Sequence, residues 1–235
     1  MTASDHPTPR QVRHKGPPLG IVATVFVLLF LAGLYPVTVF GGKPFFPGPG
    51  ESLEVIVAFF LARPSAVLLC AALQFGAAIP LGIWTATVVS QLRFLGVRAA
   101  GTYIALFGGF ATSFTMIVSS SVLWTMSSPR IAQDSTLLLA LYRFSFALGG
   151  PGFSVPFGIL IAGVSVTAGF SKIMPKWLVT AGLVIAVIGE LSWLNIRFPK
   201  ALLLIPLTRF PGFLWLIAAG FILPNTLERA KVSQE

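Results

Sequence analysis

Long apolar runs recur from Leu19 to Leu223, each near the length at which a helix crosses a hydrocarbon core of about 30 Å. No other feature limits the fold so tightly. In lipid, every backbone N–H and C=O must be paired inside its own helix or in a closed sheet. The short alternating strands of a membrane barrel are missing, so the runs are helices. Composition agrees: 55% of residues are hydrophobic and 10% charged, with a mean hydropathy of +0.88, where a soluble domain has about 25% charged. The sequence predicts an all-α polytopic membrane helix bundle of six transmembrane helices, plus two short interfacial helices on its outer side.

Residues 1–18 are polar and proline-rich and end on Arg10, Arg13, His14 and Lys15. They are expected to form a disordered cytoplasmic tail. Residues 19–224 make the bundle. A cleavable signal peptide would begin as Leu19 to Phe40 does, but no small-x-small site follows and the run is long enough to span. GGKPFFPGPG then marks an outer turn-rich loop. Glu51 to Leu61 is too short to cross and carries acids at its start, where a helix dipole favours them. It is the first interfacial helix, with Arg63 at the headgroups and Pro64 opening the next helix.

Span two is Ser65 to Ser90, with Pro80 as a kink, and span three is Ala100 to Trp124. Asp134 or Ser135 caps a second interfacial helix, Ser135 to Leu148. Gly149-Gly150-Pro151-Gly152 is a hinge before span four, Pro151 to Phe170. Spans five and six, Trp177 to Leu194 and Ala201 to Leu223, form a hairpin ahead of a charged cytoplasmic tail (225–235).

This threading puts Arg10, Arg13, Lys15, Arg93, Arg98, Lys172, Lys176, Arg229 and Lys231 inside. Lys43, Arg63, Arg130, Arg143, Arg197 and Lys200 fall outside. Nine against six supports an inner-membrane orientation with both termini cytoplasmic.

The net charge of +9 is scattered between spans, with no basic patch interleaved with aromatics, so no nucleic-acid partner is expected. Membrane lipids are the natural counter-charge. Cys70, the only cysteine, lies in an apolar run and is read as a small buried hydrophobe. Both histidines, His6 and His14, lie in the tail, so no metal site or haem ligation is expected in the spans. No nucleotide loop or Ser-His pair appears. No cofactor is expected, and an enzyme is the least favoured class.

Two patterns mark candidate sites. Span three carries Gly101, Ala105, Gly108, Thr112, Thr115 and Ser119 in steps of three and four, a single stripe. Such a stripe makes a helix-packing seam or, in the sharper reading, a polar crevice. The hairpin carries Glu190 and Arg209 at matching depth either side of its turn, an expected ion pair because a lone charge at mid-bilayer costs roughly 3 kcal/mol. Arg143 is a rival partner for Glu190. Pro206 and Pro211 flank Arg209 and free carbonyls that its guanidinium can meet. Gln74 shares a face with Ala66, Cys70 and Ala77 and is expected to bond a neighbouring helix.

The pattern Phe146-Ala-Leu-Gly-Gly-Pro-Gly-Phe, the glycine-rich span after it, Lys176-Trp-Leu, and Leu204-Ile-Pro-Leu-Thr-Arg-Phe-Pro-Gly-Phe-Leu-Trp215 resemble small bacterial membrane proteins catalogued as a domain of unknown function. The resemblance implies six spans, an amphipathic outer segment after the first, and a bacterial source. It implies no activity and no site residues.

The function expected is lipid or small-amphiphile binding in an outward-facing cavity, or service as a membrane subunit for a protein partner or a homo-oligomer. The rival is a small transporter or channel, which needs Gln74, Thr112, Thr115, Glu190 and Arg209 on one path.

Overall fold

The computed structural model describes residues 10–229. Nine α-helices carry the chain among these residues: α1 (Leu19–Leu34), α2 (Leu53–Ala62), α3 (Pro64–Phe94), α4 (Ala100–Met126), α5 (Pro129–Gln133), α6 (Ser135–Gly149), α7 (Pro151–Phe170), α8 (Lys176–Leu191) and α9 (Leu204–Ile222). Six helical segments are long and apolar enough to cross a membrane, so this is an integral membrane protein. One of the six is the α6–α7 pair, Ser135–Phe170, a 36-residue segment broken at its glycines.

The helices alternate in direction, so both ends of the bundle chain emerge on one side, the terminal end. Helices α2 and α5 lie at the opposite, distal end. Neighbours in space run α1, α3, α4, α7, α8, α9 and back to α1, with α7 also touching α9 and α3. Helix α7 is accordingly the most enclosed of the six.

Local chemistry explains the boundaries. Helix α1 stops at Leu34, short of the expected Phe40, and gives way to two 3₁₀ turns, Tyr35–Val37 and Val39–Gly41. Pro36 lies in the first of these and has no N–H for a continuing ladder. Helix α3 continues through Pro80 for 31 residues, about 46 Å at 1.5 Å per residue. Asp134 caps α6 as expected, its carboxylate accepting from Leu137 N at 3.0 Å.

Small residues set the spacing of the bundle. The expected stripe on α4 lies against α7: an added Cβ on Gly108 would collide with Pro156 O at 2.6 Å, and one on Gly163 with Ala105 N and Gly101 O at 2.6 Å. The same device recurs where a Cβ added to Gly220 of α9 would meet Gly20 N of α1 at 2.6 Å. It recurs where Gly189 of α8 meets Ser154 O and Gly158 of α7. With lipid as solvent, close backbone approach and dispersion take over the role that water exclusion plays in soluble cores.

One expectation is corrected. The sequence predicts a disordered tail over residues 1–18, but Arg10–Arg13 pairs antiparallel with Thr226–Arg229, in the register Val12 to Leu227. His14 continues the ribbon, its N–H donating to Asn225 O at 2.8 Å, and its Nε2 lies 3.0 Å from Ser90 Oγ. An even number of crossings returns both ends to one face. A two-stranded ribbon is marginal alone, and here it is tied to α3. The remainder of the two tails, residues 1–9 and 230–235, lies outside the described residues.

Candidate functional site

The distal half of the bundle holds a cavity of about 640 Å³ between α1, α3, α4, α6 and α9. Its existence follows from how the helices diverge. Helices α1 and α9 touch at Gly20 and Gly220, and further along them Leu34 and Pro206 both line the cavity. The glycine break between α6 and α7 sets Gly149 and Gly150 into the wall.

Aromatic rings close the cavity toward the terminal end. Phe26, Phe30, Phe153, Phe157 and Phe213 interlock with centroids 4.8–6.3 Å apart. At the distal end the cover is the loop carrying Val37, Thr38 and Phe46. Arg63 fixes that loop: its guanidinium donates to Pro36 O, Gly41 O and Gly42 O at 2.8 Å and to Lys43 O at 3.1 Å. Tyr142 of α6 adds a bond from its hydroxyl to Pro47 O at 2.8 Å. Arg63 therefore turns onto backbone carbonyls, where the sequence placed it at headgroups. Half-buried Leu34, Phe146, Leu202 and Pro206, with exposed Leu203, form the open rim.

The lining is apolar apart from a few groups. Gln74 donates from Nε2 to Phe30 O at 3.0 Å, the expected bond from α3 to a neighbouring helix. Ser119 donates to Ser145 O at 3.0 Å and lies 3.2 Å from Ser145 Oγ. Ser120 bonds back to Met116 O at 2.7 Å. Cys70 also faces the cavity as a buried thiol.

Among the described residues, Arg209 is the one charged side chain in the wall. Its guanidinium donates to Gly149 O, the carbonyl end of α6, where a helix dipole favours a cation. The guanidinium carbon lies 5.3 Å from the Phe30 ring and 4.8 Å from the Phe153 ring, within cation–π range. Nε is buried with no hydrogen-bond partner.

The expected pairing of Glu190 with Arg209 is therefore corrected: the guanidinium turns to Gly149, not to α8. Glu190 lies over Gly158, the space a Cβ there would occupy being 3.4 Å from its Oε1. Arg143 is exposed on α6 and outside the cavity wall. Of the candidate residues, Gln74, Ser119 and Arg209 meet at one cavity. Thr112 and Thr115 do not: their hydroxyls bond Gly108 O at 2.7 Å and Thr112 O at 3.0 Å within α4.

Sequence reasoning missed the role of Arg63. The available signal was its place directly after an interfacial helix that follows a loop rich in glycine and in proline, which supplies carbonyls and no N–H donor. No protein-family model matches the sequence, and no curated protein or solved structure matches it either.

Proposed function

We propose that this membrane protein binds a lipid or other small amphiphile in the distal cavity. The observation that carries the reading is a space of about 640 Å³, within the roughly 300–1,000 Å³ of small-molecule sites. Its walls are hydrocarbon and aromatic, and its rim is apolar, with Leu203 exposed. An acyl chain gains as much there as in the bilayer, and the few polar groups give a headgroup something to meet.

The aromatic closure at the terminal end favours a site that holds its ligand over a channel. A conduit would need polar groups in series, and Thr112, Thr115 and Glu190 stand away from the cavity wall. The balance of basic residues supports placing the terminal end in the cytoplasm and the cavity toward the outer leaflet of a bacterial inner membrane.

The test is to extract the protein gently from native membranes and identify retained amphiphiles by mass spectrometry. Ser120→Leu projects a larger side chain into the cavity. Wild type should carry a bound amphiphile at near one per chain, and the variant little. Equal retention by both would remove the cavity from the argument.

A further inference from the structure

We propose that the amphiphile taken by this cavity carries an oxyanion headgroup, a carboxylate or a phosphate monoester, received by Arg209. The inference rests on the amphiphile reading above and names the chemistry that the site selects.

The charge balance of the wall motivates it. Apart from the uncharged thiol of Cys70, every other polar side chain there is engaged: Thr38 with Tyr35 O, Gln74 with Phe30 O, Ser119 and Ser145 with each other, Ser120 with Met116 O. Arg209 is different. A guanidinium offers five N–H donors in a planar fork and stays charged. Here it has one carbonyl, Gly149 O, and two ring faces. Neither partner carries a formal charge, and Nε is buried without an acceptor.

Leaving a half-buried cation within a membrane span without a counter-ion is costly. A structural arginine in such a place is normally matched by a carboxylate, and the nearest candidate by sequence, Glu190, faces Gly158 instead. The surroundings hold the guanidinium still while leaving its charge unmatched, which is the condition for recognising an anion. A cationic headgroup would be repelled, and a neutral alcohol would gain only an uncharged hydrogen bond. The apolar chain of the ligand would lie along Leu34, Phe146, Leu203 and Pro206 at the rim.

The test uses the full-length protein in a neutral maltoside detergent and reads ligand-dependent shifts in melting temperature. The probes are oleate, oleyl alcohol, a monoacylglycerol phosphate, lysophosphatidylcholine and inorganic phosphate. Oleate or the monoacyl phosphate should bind roughly tenfold or more tighter than oleyl alcohol, the scale of one charge-assisted contact. The stronger of the two identifies the headgroup. Inorganic phosphate alone should leave the melting temperature unmoved.

Arg209→Gln should bring the oxyanion ligands down to the level of the alcohol while the alcohol's own binding persists. Because that variant also loses the contact to Gly149, the matched oleate and alcohol pair on wild type carries the test if it fails to fold. Equal binding of oleate and oleyl alcohol to wild type overturns the headgroup assignment and leaves the cavity reading standing. Absence of binding by every chain overturns both. Phosphate binding as tightly as the monoacyl phosphate overturns the amphiphile and leaves an anion site. Preference for lysophosphatidylcholine over the monoacyl phosphate also overturns the assignment.

Discussion

Helices α1 and α9 lie backbone to backbone where Gly20 meets Gly220, while at Leu34 and Pro206 the same two helices line a cavity. The α4–α7 contact shows the same contrast. Gly101, Ala105 and Gly108 are closed against Gly163 and Leu160, whereas further out Ser119 and Ser120 line the cavity with Gly149 and Gly150 of the helix break. Side-chain size differs between the two ends, and the environment does not. Where glycines face each other, nothing else fits. Where serines and a broken helix face phenylalanines, a void of ligand size remains.

The comparison breaks most visibly at Gly163. A Cβ there meets Ala105 N and Gly101 O at 2.6 Å, and backbone atoms on a neighbouring helix cannot yield as a side-chain tip can. Gly163→Leu should cost about 3 kcal/mol or more and abolish monodisperse protein in size-exclusion chromatography. Gly76→Ala is the control, because nothing lies within 4 Å of its Cβ position. It should stay within about 1 kcal/mol of wild type by reversible unfolding. Similar damage from both would deny that close backbone contact holds the terminal half together.

Arg63 tests the distal half. It ties four carbonyls of the covering loop, so Arg63→Gln should cost about 2 kcal/mol after allowance for its partial exposure. Hydrogen exchange should rise in residues 36–47 while α4 and α7 keep their protection. Exchange rising across the whole chain would mean the loop is not a separate cover.

How far the sequence disclosed these two halves depends on the range of the interaction. Six crossings, the Asp134 cap, the glycine break and the α4 stripe are all written in hydropathy or in spacings of three and four. The stripe also pointed to a packing seam, and Gly101, Ala105 and Gly108 form one. The contacts that shape the cavity are different in kind. Arg63 meets Gly41, Gln74 meets Phe30 and Arg209 meets Gly149 across long stretches of chain. Helical periodicity says which face a residue occupies and nothing about which helix lies opposite. The Glu190–Arg209 pairing failed for that reason: equal distance from a turn fixes depth and leaves azimuth open. The tail ribbon was missed because Arg10–Arg13 finds its partner strand more than two hundred residues away.

Filling the cavity should cost much less than opening the seam. Ser120 is buried against the void and bonds only to its own helix, through Met116 O. Leucine at that position adds volume where volume is free. Ser120→Leu should change unfolding free energy by less than about 1 kcal/mol, although it displaces the amphiphile. A loss as large as that of Gly163→Leu would show that the void is absent in the membrane.

The smallest effect belongs to Glu190. As half of a buried ion pair, its neutralisation would cost several kcal/mol, because Arg209 would be left alone. The structure instead gives Arg209 the carbonyl of Gly149 and two aromatic faces, and lays Glu190 over Gly158 of α7, half-buried. Glu190→Gln keeps the shape of the side chain and removes only its charge. Unfolding should therefore move by no more than about 0.5 kcal/mol. Exchanging the two charges, Glu190→Arg with Arg209→Glu, should be worse than Arg209→Gln alone, because a carboxylate would face Gly149 O and the carbonyl end of α6. Recovery in the exchanged protein would restore the ion pair and remove the free cation on which recognition of an anionic headgroup depends.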